Sequence, residues 1–259
     1  MTEPLASTRR EVAYSSTHRA EIEDYPIADI DRSAEFTDLF ARTRNYTMTS
    51  KEIMFSTYQA ARYVAERGIP GDIVECGVWR GGSALLSGLT VRAAEARRPR
   101  RGWLVSRRRK LWLYDTFEGM TAPTAQDIDL TNTSAAQYMA EHSDEGRWCY
   151  ADEDDVRRVF ASEGFGAQDM EVVKGDVVQT LHARRPRRIA LLRLDTDWYE
   201  STKAELELLY PRLSRGGVLI IDDYGHWEGA RQAVDEFFAH EPGLLLNRIG
   251  YAVRVAVKV

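Results

Sequence analysis

A chain of 259 residues, 44% hydrophobic and 29% charged, has the length and composition of one large globular α/β domain able to bury its own core. Its formal net charge of -5 disfavours a general binder of nucleic acid or of anionic membranes. Cys76 and Cys149 give neither a disulfide framework nor a zinc spacing, the first ten residues lack a secretion signal, and the apolar runs are strand-sized, so a reducing cytoplasm and no membrane span are expected.

Residues 1–45 read as a polar, irregular extension whose first fifteen or so residues are mobile. Between 49 and 66, Ile53, Met54, Ala60, Ala61 and Val64 recur at helical spacing, and the Gly-Ile-Pro-Gly run at 68–71 stops the helix. A regular alternation follows. Strands are predicted at 73–76, 111–114, 170–174, 189–194 and 218–221, and helices at 83–96, 152–161, 201–213 and 228–240. The 189–194 run is apolar except for Arg193. The stretch 244–257 holds two strand-like runs with a turn near 248–250. Apolar strands alternating with helices imply a parallel sheet buried on both faces. The last two strands, with no helix between them, must form an antiparallel hairpin. The alternation does not give the strand order.

Two segments interrupt the pattern. Residues 97–110 carry eight basic side chains in fourteen, which reads as a solvated loop rather than a nucleic-acid patch in so acidic a chain. Residues 116–151 form a long insertion after the second strand, the place where parallel sheets carry lids and substrate loops. The domain proper is expected over 46–259 with this lid at about 116–151.

The first strand runs into Gly77, Val78, Trp79, Arg80, Gly81, Gly82 and Ser83, which opens a helix. Glycines let the backbone turn tightly against a ligand, and the helix start offers free N–H groups to an anion. The spacing is E-x-G-x-x-x-G-G, not the G-x-G-x-x-G of dinucleotide sites. Glu75 at the strand end would repel a pyrophosphate but suits the ammonium group of S-adenosylmethionine. Ser83 and the turn's N–H groups, with Gly77 and Gly81 shaping it, could take the methionine carboxylate. The bland alternative is a tight strand-to-helix turn and nothing more. Asp115 ends the second strand, where an acid accepts ribose hydroxyls, and Phe117 follows it within the same turn. Asp176 closes the third strand; it could meet the adenine amino group or simply cap a helix.

Asp195 and Asp197 end the fourth strand, and Asp222 and Asp223 end the fifth. Adjacent parallel strands bring all four to one edge of the sheet. Carboxylates so crowded repel unless a cation neutralises them, and oxygen ligands favour Mg²⁺. Helix capping by Asp197 and a turn at Asp223 would explain one or two of them. Mg²⁺ binding both oxygens of a diol would lower the pKa of one hydroxyl and fix it in line with a methyl group. Asp197 is then the candidate general base, with Asp195 as ligand and possible base together, and His226 as a second base candidate.

Together these stretches resemble the macrocin O-methyltransferase family, which methylates sugar hydroxyls on antibiotics and related glycosides. The match runs through Tyr46, Thr47 and Met48, the 72–82 turn, 115–119, 192–202, and 216–224. The resemblance implies a class I S-adenosylmethionine-dependent methyltransferase fold, Rossmann-like, with a mostly parallel seven-stranded sheet ending in the antiparallel hairpin. It also implies Mg²⁺ bound at Asp195, Asp222 and Asp223, closure of residues 46–48 over the cofactor with Thr47 and Met48 binding it, a glycoside substrate, and a homodimer or larger oligomer. The basic segment and residues 127–148 depart from the family pattern. Four other readings compete, one of them a dehydrogenase, which the absence of G-x-G-x-x-G argues against. A catechol would suit the acids equally well. A D-x-D metal site against a nucleotide sugar describes a glycosyltransferase, which Glu75 argues against. A non-catalytic cofactor binder would have no use for the acid cluster.

Overall fold

The computed structural model describes residues 27–97, 108–143, 147–240 and 243–259. Ahead of the first strand lie α1 (Ala28–Asp31), α2 (Ala34–Thr43) and α3 (Lys51–Arg67). The Ser50 side chain caps α3 by accepting from the Ile53 N–H, and Gly68, at φ 66°, ends it in the left-handed conformation that costs glycine little. The rest alternates: β1 (Asp72–Cys76), α4 (Gly82–Arg97), β2 (Leu111–Asp115), α5 (Ala135–His142), α6 (Glu153–Ser162), β3 (Met170–Lys174), α7 (Val177–Ala183), β4 (Ile189–Leu194), α8 (Tyr199–Leu209), β5 (Leu213–Ile221), α9 (Glu228–Phe238), β6 (Asn247–Ile249) and β7 (Val253–Val257).

The seven strands form one sheet in the order β3-β2-β1-β4-β5-β7-β6. The pairs from β3 to β5 are parallel, and β7 lies antiparallel between β5 and β6. Strand alternation splits the core into two layers. Ile73, Leu113, Leu191 and Ile220 face Phe36, Met54, Leu85 and Phe160 of α2, α3, α4 and α6. Val74, Leu192, Leu194 and Leu219 face Leu181, Leu206, Leu209 and Val234 of α7, α8 and α9. Among the described residues no helix is long and apolar enough to cross a membrane.

Several elements differ from the sequence expectation. Residues 34–43 are not irregular. They form α2, which buries Phe36, Leu39 and Phe40 and packs against α3 and α4; fully burying such side chains stabilises by about 1.5–3 kcal/mol each. The mobile stretch expected before it, and most of the basic segment, lie outside the described residues. The helix after β4 stops at Leu209, because a 3-10 turn containing Pro211 intervenes, and β5 therefore begins at Leu213 rather than 218. The helix α7 was not foreseen.

The segment after β2 is stitched down rather than free. Asp127, fully buried, accepts hydrogen bonds from the backbone N–H of Tyr199 (2.8 Å) and from the backbone and hydroxyl of Thr124 (2.6 and 2.9 Å). It thereby supplies the N-terminal cap of α8 that Trp198, at the cap position, cannot provide. Trp148, Trp198 and Trp227 pack beside it with Tyr138 and Met139.

Candidate active site

The order of strands reverses direction between β1 and β4, the crevice where open α/β sheets bind ligands. Both strands end there in tight turns that touch. Gly77 donates to the Tyr114 carbonyl at 2.9 Å, and the Asp195 N–H donates to the Cys76 carbonyl at 2.9 Å. At Gly77 φ is 79°, and a Cβ would overlap the Asp195 carbonyl, so a glycine is required twice over. A Cβ on Gly82 would lie 2.7 Å from the Tyr46 backbone, because residues 46–49 cross over the start of α4. Thr47 is buried there, and Met48 is exposed. Gly81, at φ 85°, packs against Phe160.

Glu75 and Arg193 are register partners on β1 and β4, and each is 3% exposed. The Arg193 Nη1 donates to Glu75 Oε1 (2.8 Å) and Asp195 Oδ2 (2.5 Å), and its Nη2 donates to Asp222 Oδ1 (2.7 Å) and Thr49 Oγ1 (3.2 Å). The Ser83 hydroxyl also donates to Glu75. Burial pushes the Glu75 pKa up, and the guanidinium opposes that push. Asp115 is turned toward the glycine loop: its Oδ2 accepts from the N–H groups of Val78 (2.7 Å) and Trp79 (2.9 Å), and its Oδ1 from Phe117 (2.7 Å). Phe117 itself is buried in the core. Asp176 caps α7 through the Val178 N–H at 2.9 Å, so the capping alternative is the observed contact. A cleft at this edge is lined by Gly77, Asp115, Gly175, Asp176, Asp195 and Thr196. A larger concavity, between Lys203, Glu207, Phe237 and His240, lies on the flank of α8 and α9 and contains none of these strand-end acids.

Of the four strand-end acids, Asp195, Asp197 and Asp223 offer carboxylate oxygens within 4.8 Å of one another. Asp222 belongs instead to the Arg193 side. Strand alternation explains the split: Asp222 continues the face of Ile220, the register partner of Arg193, while Asp223 takes the opposite one. Asp197 has φ 68°, a left-handed conformation that costs a non-glycine residue about 1–3 kcal/mol, and its N–H donates to Asp223 Oδ2 at 3.2 Å. Trp79, Phe117 and Cys149 also have positive φ. Burial and the neighbouring acids push the pKa of Asp197 up to about 7, and those of Asp195 and Asp223 well above the usual carboxylate range. Three hard oxygen donors that repel one another in this way fit a divalent cation such as Mg²⁺. His226 is buried, with Nδ1 3.1 Å from the Tyr251 hydroxyl, and burial lowers its pKa. Arg193 belongs to the site although no motif marks it. The break that Arg193 makes in an apolar strand was the available signal for it.

A Rossmann-like sheet with an antiparallel seventh strand, carrying a glycine turn and an acid cluster at its switch point, defines a class I methyltransferase. The macrocin-O-methyltransferase (TylF) family model matches residues 3–244, and the chain belongs to that family. It is therefore an O-methyltransferase, not a glycosyltransferase or a dehydrogenase. Over 192 residues it is 33% identical to 8-demethyl-8-(2,3-dimethoxy-alpha-L-rhamnosyl)-tetracenomycin-C 4'-O-methyltransferase of Streptomyces olivaceus, covering 74% of this chain and 67% of the relative. It is 31% identical over 194 residues to demethyldecarbamoylnovobiocin O-methyltransferase of Streptomyces niveus, covering 75% and 68%. The solved structure of the O-methyltransferase NovP superposes with a TM-score of 0.68 at 29% identity, over 83% of this chain and 82% of that one.

Proposed function

We propose that the protein transfers a methyl group from S-adenosylmethionine to one hydroxyl of a vicinal diol, on a deoxysugar of a glycosylated natural product, with the help of Mg²⁺. The observation that carries this reading is the convergence of Asp195, Asp197 and Asp223 beside the glycine turn at the sheet's switch point. The rhamnosyl group in the name of one relative supports the sugar.

Within this reading, S-adenosylmethionine supplies an electrophilic methyl group, with Glu75 near its ammonium and Asp115 near its ribose. Asp195 and Asp223 would hold the cation, with Asp222 or Asp197 completing the set, and the cation supplies charge that makes a bound hydroxyl more acidic. Asp197 receives the hydroxyl proton, since its carboxylate lies beside those of Asp195 and Asp223. Residues 46 and 47 lie against Gly82, at the start of the helix that follows the cofactor turn. Action as a homodimer or larger oligomer in the cytoplasm belongs to the same proposal.

The test offers a diol glycoside, its monodeoxy analogue and a catechol with labelled S-adenosylmethionine. Methylation of the diol glycoside alone is expected. Equal methylation of the monodeoxy compound would defeat the chelation argument, and a catechol-only result would defeat the sugar assignment.

A further inference from the structure

We propose that Glu205 is a positioning residue for methyl transfer: it holds Thr196, and through Thr196 the left-handed turn that presents Asp197 to Asp195 and Asp223. The inference rests on the proposed role of those acids.

Glu205 lies on the buried face of α8, among Ser201, Thr202, Leu206 and Leu209, and is 0% exposed. A leucine would suit such a position, since a buried carboxyl has lost its water and must be repaid by hydrogen bonds. Here the return is partial. Oε1 accepts the Thr196 hydroxyl at 2.9 Å, while Oε2 is buried and has no hydrogen-bond partner among the described residues. The Cys76 thiol, at the end of β1, lies near the same carboxyl. Glu205 therefore sits beneath the turn that carries Asp195 and Asp197, and its one hydrogen bond goes to that turn. Cys76 leads into Gly77, and Thr196 lies between Asp195 and Asp197.

The turn needs such a support. Its backbone is closed by the Trp198 N–H (2.8 Å) and the Ser201 hydroxyl (3.3 Å), both donating to the Thr196 carbonyl. Neither bond fixes the Thr196 side chain, which also borders the cleft. Asp197 is in the strained region next to it, and strained residues persist where their surroundings over-determine them. Burial raises the Glu205 pKa to about 8, so at neutrality it is mostly the uncharged acid. A neutral support adds nothing to the repulsion among the three aspartates above it.

The experiment compares Glu205→Leu, Thr196→Val, the double variant and Glu205→Gln. It reads amide hydrogen exchange at residues 196–198, kcat, and the KM for S-adenosylmethionine. Glu205→Leu and Thr196→Val should each speed exchange at Asp197 and Trp198 by about tenfold or more. They should lower kcat roughly 10- to 100-fold, as misplacement by an ångström does, with KM for S-adenosylmethionine within about twofold. The double variant should be no worse than either single one, and Glu205→Gln, which keeps an acceptor for Thr196, should recover most of the rate. Wild-type exchange and kcat in Thr196→Val would overturn the proposal, as would additive losses or a Gln variant as poor as the Leu one. The Thr196 variant keeps the test open should Glu205→Leu fold poorly. Exchange is read without substrate or cation, so a failure of the diol chemistry is distinguishable from a failure of the positioning role.

Discussion

Arg193 and Glu75 face each other in register across β4 and β1, 2.8 Å apart and both sealed from solvent. The same guanidinium also reaches Asp195 and Asp222, so one cation balances three carboxylates inside the sheet. Arg193→Met should therefore destabilise the protein by about 3–5 kcal/mol, the cost of leaving buried charges unpaired. Glu75→Gln should cost less stability, because Arg193 keeps its other two partners, yet weaken S-adenosylmethionine binding by on the order of 1.5–3 kcal/mol. Urea unfolding and calorimetry measure the two. An Arg193→Met protein within about 1 kcal/mol of wild type would contradict the charge balance.

Removing the divalent cation should stop the reaction. EDTA is expected to abolish methyl transfer and excess Mg²⁺ to restore it. Asp195→Asn and Asp223→Asn should each weaken cation affinity tenfold or more, roughly the scale seen even for residues behind the ligands. Undiminished turnover in chelator would rule out the metal in the mechanism.

The parallel alternation and its closing hairpin were readable because strands buried on both faces are apolar throughout and contrast sharply with amphipathic helices. The glycine turn was readable because only glycine tolerates the backbone approach at Gly77. Which aspartates converge was not. Asp222 and Asp223 are neighbours in sequence but fall on opposite faces of one strand end, and the residue that claims Asp222 lies on another strand. Glu205 looks like any helical glutamate until the packing of α8 is known, and Asp127 like any loop acid until Tyr199 is brought to it. α2 did leave a signal: Phe36, Leu39 and Phe40 have the i, i+3, i+4 spacing of a buried face.

Glu205 should leave a mark on the pH dependence of stability. Its carboxyl titrates near 8 when folded, against an ordinary value of 4.5. Between those values the unfolded chain has released a proton that the folded chain still holds. Stability therefore falls as pH rises through that window, by about 1.36 kcal/mol per unit and a few kcal/mol in all. Glu205→Gln lacks this titration. Its stability relative to wild type should rise steadily from pH 5 to pH 8 and level off below about 4.5. A difference that does not change with pH would show that Glu205 ionises normally.

Gly229, in the first turn of α9, faces Asp127 so closely that a Cβ would overlap its Oδ1. That oxygen is the one capping α8 through Tyr199. Gly229→Ala should therefore push Asp127 out of its notch, uncap α8 and loosen the segment that brings Trp148 against Trp198 and Trp227. A lost cap is worth about 0.5–2 kcal/mol, so the variant should stay folded and show a lower urea midpoint. Tryptophan emission should shift to the red as the indole cluster opens to water. The effect on catalysis should be selective. The glycine turn after β1 and the crossing segment 46–49 do not touch Asp127, so affinity for S-adenosylmethionine should hold while KM for the acceptor rises. Asp127→Ala combined with Gly229→Ala should lose much less relative to Asp127→Ala than Gly229→Ala loses relative to wild type, since the overlap goes with the carboxylate and only a tight approach to Tyr199 Cβ remains. An alanine at 229 that leaves emission and acceptor KM unchanged would mean that this contact does not hold the segment in place.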